Sequence, residues 1–391
     1  MKRLIIRNFG PIKEVAIELK RVNLILGPQS SGKSTVLKVA CFCDWMERQI
    51  ALSQNPDRYC KADFFVKNLV SFHKLEGFMH ADTYIRYEND AISFEYDAKT
   101  GECKYSWAKT AKRWMYKRTK IAYIPSERNL VAAIPNWYQV SMNNNNIQDF
   151  MKEWEFARKT FAKKEQILDL PFSYRYNPSD KADRIVMKDG KELDLTNASS
   201  GLQSLTPLYV MARYLTGQFF KEKHTKVEES ILRDNLEQIV AQDCADKSPA
   251  KQLEIVNGML TPTHTDLFIE EPEAHIYPST QKNFVYSLVS MLNGQKKHFC
   301  FIATHSPYIM TAMNNVIQAG EIAAESDVMA EKVNQRFTSK ERLRFKDVAA
   351  FQMKDGRIES IMDDDFKLIS AEALDNASQE IADDFNFLLN L

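Results

Sequence analysis

The sequence predicts an α/β fold: a largely parallel sheet carrying a phosphate-binding loop, joined to an antiparallel β subdomain and a helical subdomain. Three observations predict it. The apolar run Val22 to Leu26 ends at Gly27 and leads into a helical stretch through Val36, Leu37, Val39 and Ala40. Two further apolar runs, Leu267 to Ile269 and Phe299 to Ala303, flank a helical segment around Phe284 to Leu292, the alternation expected of buried parallel strands. Thr83 to Trp107 instead alternates with period two, as an antiparallel meander does.

The remaining elements follow in order. Leu4, Ile5 and Ile6 open the chain as a strand, and Val15, Ile17 and Leu19 alternate with charge in a second. In the meander, Ile85 and Tyr87 oppose Tyr84, Arg86 and Glu88, and a turn at Asn89-Asp90 leads to Ile92, Phe94 and Tyr96. A strand from Ile121 to Ile124 runs into Pro125-Ser126-Glu127-Arg128. Asn143 to Asn146 marks an exposed loop before a helix from Ile147 to Lys164. A second hairpin pairs Ile185 and Val186 with Leu193 and Leu195 around Asp189-Gly190. Helix returns from Leu202 to Phe220 and from Val227 to Leu260. The end carries a hairpin, Ala349 to Met353 and Arg357 to Ile361 around Asp355-Gly356, and a closing helix. Three regions are expected: 1–130, with the phosphate loop and the meander; 131–260, a helical insert and signature lobe; and 261–391, which completes the main sheet.

Composition narrows the class. With 391 residues, 44% hydrophobic and 27% charged, the chain can bury a large core, which excludes a disordered or fibrous protein. Lys plus Arg and Asp plus Glu are equal at 52 each, so attraction to nucleic acid or membrane has to come from a local patch. Arg7 interrupts the first apolar run, and no long apolar stretch occurs, so a cytoplasmic protein without membrane contact is expected. Cysteines 41, 43, 60, 103, 244 and 300 have no zinc or redox spacing and read as reduced packing thiols.

Four segments carry chemistry. Gly27-Pro28-Gln29-Ser30-Ser31-Gly32-Lys33-Ser34-Thr35 fits the full Walker A pattern in its strand–loop–helix context. Backbone N–H groups of such a loop close around phosphate oxygens at a helix start, Lys33 bridges the β- and γ-phosphates, and Ser34 offers a hydroxyl to magnesium. The apolar strand ending in Glu270-Glu271-Pro272-Glu273 matches a Walker B: Glu270 holds magnesium, usually through water, and Glu271 orients or deprotonates the attacking water. An acidic helix start is the plainer reading of the same residues. His305, just past a core strand, sits where ligands bind in open α/β sheets, although a lone histidine is more often structural. Ser199-Ser200-Gly201-Leu202-Gln203 reads as a helix cap and equally as an anion site for a nucleotide held by another subunit.

The ordered set of Walker A, Ser-Ser-Gly-Leu-Gln, Glu-Glu-Pro-Glu and strand-end histidine resembles the ABC-type P-loop ATPases of the SMC, RecF and overcoming-lysogenization-defect group. Leu4 to Ile12 resembles that group's first strand and turn, and Tyr123-Ile-Pro-Ser-Glu-Arg128 a segment of its compact bacterial members; the likeness spans residues 2 to about 310. The resemblance implies ATP and Mg2+ as ligands. It implies that Ser200 and Gly201 reach a partner's γ-phosphate across a homodimer or larger homo-oligomer, that His305 is a switch histidine, and that Glu273 to Pro278 line the seam. Gln29 and Ser30 replace the group's common Asn-Gly, Glu270 replaces its usual Asp, and only the segment near Arg128 stands in for a Q-loop glutamine.

The resulting expectation is an ATP-hydrolysing dimer switch that controls a separate effector protein, a nuclease or toxin, or engages DNA in defence or repair. The alternatives are an ATP-binding scaffold without turnover, an SMC-like repair ATPase, a transporter subunit and a nuclease. Asp363-Asp364-Asp365 reads as a solvated turn rather than a two-metal site. Residues 99–120 hold eight cations, at 99, 104, 109, 112, 113, 117, 118 and 120, with Tyr105, Trp107, Trp114 and Tyr116 between them. Such a mix can contact nucleic acid, or be a plain solvated face.

Overall fold

The computed structural model describes residues 2–107, 113–134, 136–141, 143–222, 227–370, 382–383 and 385–388. The chain opens with β1 (Lys2–Phe9), β2 (Ile12–Leu19) and β3 (Val22–Leu26), then the meander β4 (Met79–Glu88), β5 (Ile92–Asp97) and β6 (Glu102–Trp107), and β7 (Thr119–Ile124). A small sheet follows from β8 (Glu165–Gln166), β9 (Phe172–Asn177), β10 (Ala182–Met187) and β11 (Glu192–Asp194). The main sheet is completed by β12 (His264–Glu270), β13 (Phe299–Ala303), β14 (Val348–Lys354) and β15 (Arg357–Ser360).

The main sheet has eleven strands in the order β6-β5-β4-β1-β2-β15-β14-β3-β13-β12-β7. From β14 to β7 every pairing is parallel; from β6 to β2 every pairing is antiparallel. Composition follows this division. All five residues of β3 and of β13 are buried, because helices cover both faces, whereas β2 and β5 alternate buried and wetter positions.

Strand alternation separates two cores. Val22, Leu24 and Leu26 face the helices Asn146–Lys159, Ser200–Thr216, Pro278–Leu292 and Pro307–Ala323, while Ile25 faces the helices Lys33–Ser53 and Ala62–His73 and the antiparallel strands. At the end of the sheet away from the phosphate loop, Lys2 Nζ donates to Asp44 and Asp266 at 2.8 Å each, tying β1 to the Lys33–Ser53 helix and to β12.

The expected α/β architecture, with its antiparallel and helical parts, is observed. The helix expected from Val227 to Leu260 is two, Val227–Asp243 and Pro249–Leu260: the Ser248 side chain accepts from the Lys251 N–H and Pro249 sits in the first turn, which starts a new helix there. The expected second hairpin is part of a four-stranded sheet, and the helix before it ends at Lys159. Lys109 and Lys112, and most of the expected closing helix, lie outside the described residues. Among the described residues no helix is long and apolar enough to cross a membrane.

Candidate functional site

The carboxyl ends of β3, β12, β13 and β7 lie side by side, so the segments that leave them converge. The loop from Gly27 to Gly32 leaves β3. Gly27 has φ +148°, and a Cβ there would stand 2.3 Å from the Met353 carbonyl oxygen of β14, so no larger residue fits. The Lys33–Ser53 helix begins with no side-chain cap and no acid in its first turn. The helices that begin at Asn146, Ser200, Pro249, Pro307 and Asp327 have a side-chain cap, and those that begin at Ala62 and Pro278 have none. The uncapped start leaves N–H groups and the positive end of the dipole facing the loop, a donor set suited to phosphate.

Lys33 folds back over this loop and donates to the Pro28 carbonyl at 2.6 Å. Burial depresses its ammonium to about 8, against the opposing pull of Glu271 and Glu273. A cleft of about 520 Å³ opens here, lined by Pro11, Gln29, Ser30, Gly32, Lys33, Ser34, Thr35, Phe78, Glu271 and His305. Phe78 carried no signal in the sequence, since it lies in a short connection between helix and meander and matches no motif.

The acids at the end of β12 divide their roles. Glu270 is buried and accepts the Ser126 N–H at 3.2 Å, which brings the segment after β7 against it. Glu271 turns away from the strand with φ +41°, a conformation unfavourable for a residue with a Cβ; its N–H donates to Ala303 O at 2.8 Å. Its side chain lines the cleft, with Oε1 3.7 Å from His305 Nε2. Glu273 accepts from Thr304 Oγ1 at 2.7 Å and from the His305 N–H at 2.6 Å, fixing the backbone that carries the histidine.

Of the two side chains that the sequence assigns to magnesium, Ser34 lines the cleft and Glu270 is buried and does not line it. Among the described residues no group of three or more His, Cys, Asp or Glu could hold a metal.

Ser199, Ser200, Gly201 and Gln203 are not in this cleft. Ser199 and Ser200 are exposed at the start of the Ser200–Thr216 helix, Ser199 accepts the Leu202 N–H at 3.5 Å, and Gln203 turns its amide to the carbonyls of Leu195 and Thr196 at 3.3 and 2.9 Å.

Much of the basic stretch has partners inside the chain. Arg113 bonds Gln54 and Asp243 and stacks on Trp107 and Trp114, Arg118 donates to Leu260 O, Lys120 pairs with Glu153, and Lys104 pairs with Glu102. Lys99 and Lys117 are exposed.

A family model described as an AAA domain matches residues 3–253, more than half of the chain. The chain belongs to the AAA domain family. The matched span of this AAA domain takes in the phosphate loop, the meander and the Ser200–Thr216 helix, and β12 follows it. Among solved structures the chain is similar to the SMC head domain from Thermotoga maritima, at 10% identity and TM-score 0.39, with 92% of this chain and 97% of that chain covered. It is similar to the Smc head domain from Pyrococcus furiosus bound to the C-terminal domain of ScpA, at 10% identity and TM-score 0.40, covering 98% and 100%. It is also similar to the recombination mediator protein RecF with ATP, at 12% identity and TM-score 0.30, covering 92% and 98%. No curated protein matches the sequence.

Proposed function

We propose that the chain binds and hydrolyses ATP with magnesium and acts as a switch that closes when two copies hold nucleotide between them. The observation that carries this reading is a division: Lys33, Glu271 and His305 line one cleft, while Ser200 and its helix start are exposed outside it. One copy therefore has the phosphate loop and the water-activating groups on one surface and the exposed hydroxyl of Ser200 on another, as a shared site requires.

In this reading Lys33 and the uncapped N–H groups hold the phosphates. Glu271, exposed to the cleft and opposite His305, takes a proton from water, and His305 orients that water or senses the terminal phosphate. Magnesium, held by Ser34 and Glu270, would offset phosphate charge. Closure would act on a separate effector or on DNA, in defence or repair in the cytoplasm.

Phosphate release from ATP by the purified chain tests the enzyme reading directly. Wild type should release phosphate and Lys33→Ala should not, because the loop loses its phosphate-facing charge. ATP binding with no release by wild type would leave an ATP-binding scaffold instead.

A further inference from the structure

Arg128 lies beside the site, bonded to the Glu270 and Glu271 carbonyls, and no role in phosphate binding or water activation falls to it. It is fully buried, an uncommon state for a guanidinium. Burial lowers its affinity for the proton, to a pKa of about 10, and the nearby charges of Glu273, Glu271 and Glu270 oppose that fall. It stays a cation.

Its contacts run to three separate segments. Nη1 donates to the Pro125 carbonyl at 3.3 Å and to the Glu270 carbonyl at 2.9 Å, and Nη2 donates to the Glu271 carbonyl at 2.8 Å. Nε donates to the Ser204 carbonyl at 3.3 Å, and Nη2 also reaches Ser204 Oγ at 3.3 Å. Ser204 lies one turn into the Ser200–Thr216 helix, and its hydroxyl donates in turn to the Ala274 carbonyl at 2.7 Å. At the same helix start, a Cβ on Gly201 would stand 3.1 Å from the His275 carbonyl, so helix and loop are in close contact.

These contacts bear on Glu271 in particular. Its left-handed backbone aims the side chain into the cleft, and such a conformation persists only where its surroundings hold it. Three bonds do so: its N–H donates to Ala303 O, and its carbonyl accepts from Arg128 at 2.8 Å and from the Ala274 N–H at 3.0 Å. The same guanidinium grips the largely buried helix whose exposed start carries Ser200. Only a planar fork with five N–H groups can serve both sides at once; an ammonium at the same depth cannot.

We infer that Arg128 is a positioning residue that couples the Ser200–Thr216 helix to the Glu271 backbone, so that displacement of that helix moves the catalytic carboxylate. The inference rests on the ATPase reading above and deepens it: engagement of Ser200 by a second copy's nucleotide is transmitted through Ser204 and Arg128 to Glu271.

The test is steady-state and single-turnover ATP hydrolysis by the full chain, with ATP affinity and thermal unfolding measured on the same samples. Arg128→Lys keeps the charge and should lower kcat about 10²-fold, the cost of a misplaced catalytic group, while ATP affinity stays at the wild-type value. Ser204→Ala removes one hydroxyl without burying an unpaired charge, and should lower kcat by about ten-fold. It keeps the question open to test if the Arg128 variant does not fold. The decisive comparison is the Glu271→Gln background. If Arg128 acts through Glu271, Arg128→Lys has little further effect there in single turnover; if it only supports the fold, its effect is the same in both backgrounds.

Full additivity, or an Arg128→Lys chain with wild-type kcat, overturns the assignment while leaving the ATPase reading intact. For a chain that folds poorly as Arg128→Lys, wild-type kcat in Ser204→Ala does the same. A wild-type chain that hydrolyses no ATP overturns the parent reading and this inference with it.

Discussion

His305 Nε2 stands 3.7 Å from Glu271 Oε1, and the same histidine's N–H is bonded to Glu273 at 2.6 Å. One acid faces the imidazole across the cleft while another fixes the backbone beneath it. If Glu271 takes the proton from water, Glu271→Gln keeps size and shape and loses only the base. Hydrolysis should fall by about 10²- to 10⁴-fold, the usual range for a general base, with ATP affinity retained and closed dimers accumulating. Chromatography with ATP and magnesium reads the dimer; a variant with wild-type turnover would remove Glu271 from the mechanism.

Lys33 makes ATP binding depend on pH in a defined direction. Burial holds its free-state pKa at about 8, and phosphate oxygens placed beside it must raise that value. Affinity is therefore complete below about pH 8 and weakens as pH rises through that point, by up to about ten-fold per unit until the bound-state pKa is reached. Binding above about pH 8 should take up protons, measurable by calorimetry in buffers of different ionisation enthalpy. Constant affinity from about pH 7 to 9.5 would mean that the ammonium does not meet the phosphates.

The site was readable in the sequence where its geometry is local. Gly27 to Gly32 join β3 to the Lys33–Ser53 helix as their pattern predicts, and Glu270 and Glu271 stand at the end of an apolar strand. What depends on sheet order was not readable. Nothing in Val348 to Lys354 says that this strand inserts beside β3 and brings the Met353 carbonyl against Gly27, since pairing partners 326 residues away leave no trace in a periodic pattern. Arg128 is the sharper case. In Pro-Ser-Glu-Arg it looks like any charged turn, and only its contacts with Ser204 and Glu271, each supplied by another segment, make it a buried cation. The partners of the basic stretch are equally hidden in the sequence. Counting charges along the chain finds a patch, but Gln54, Asp243, Glu153 and the Leu260 carbonyl, which engage Arg113, Lys120 and Arg118, lie far away in sequence.

His73 makes the fold sensitive to acid. It is 1% exposed, packed edge-on against Tyr123 at 5.8 Å, and burial, helped by the Lys38 charge, pushes its pKa from 6.5 down to about 3. Between those values the unfolded chain binds a proton that the folded chain refuses, so stability rises with pH and is lost as pH falls below about 6.5. At about pH 5 the loss from this residue is about 2 kcal/mol. His73→Phe, which keeps an aromatic ring in the site, should flatten the pH dependence of urea unfolding over that window. An unchanged slope would place the acid sensitivity elsewhere.

The shared site makes the most specific demand, because it requires two lesions to complement each other. Ser200 is exposed at its helix start and absent from the cleft that holds Lys33, so its effect should appear on the opposite copy. Ser200→Arg puts a bulky side chain on that surface and should block closure while one chain still binds ATP. Lys33→Ala removes the phosphate contact within its own cleft. In a dimer of one Lys33→Ala chain and one Ser200→Arg chain, one composite site carries both changes and the other carries neither. Each variant alone is inactive, yet the mixture should recover turnover. With random pairing about half of the dimers are mixed and each has one intact site, so recovery is at most about a quarter of wild type, and less if the two sites must act together. Mass measurement of differently tagged chains establishes that mixed dimers are present. Wild-type turnover by the Ser200→Arg chain on its own would mean that each cleft works with its own chain alone, and that Ser200 acts only as part of a helix cap.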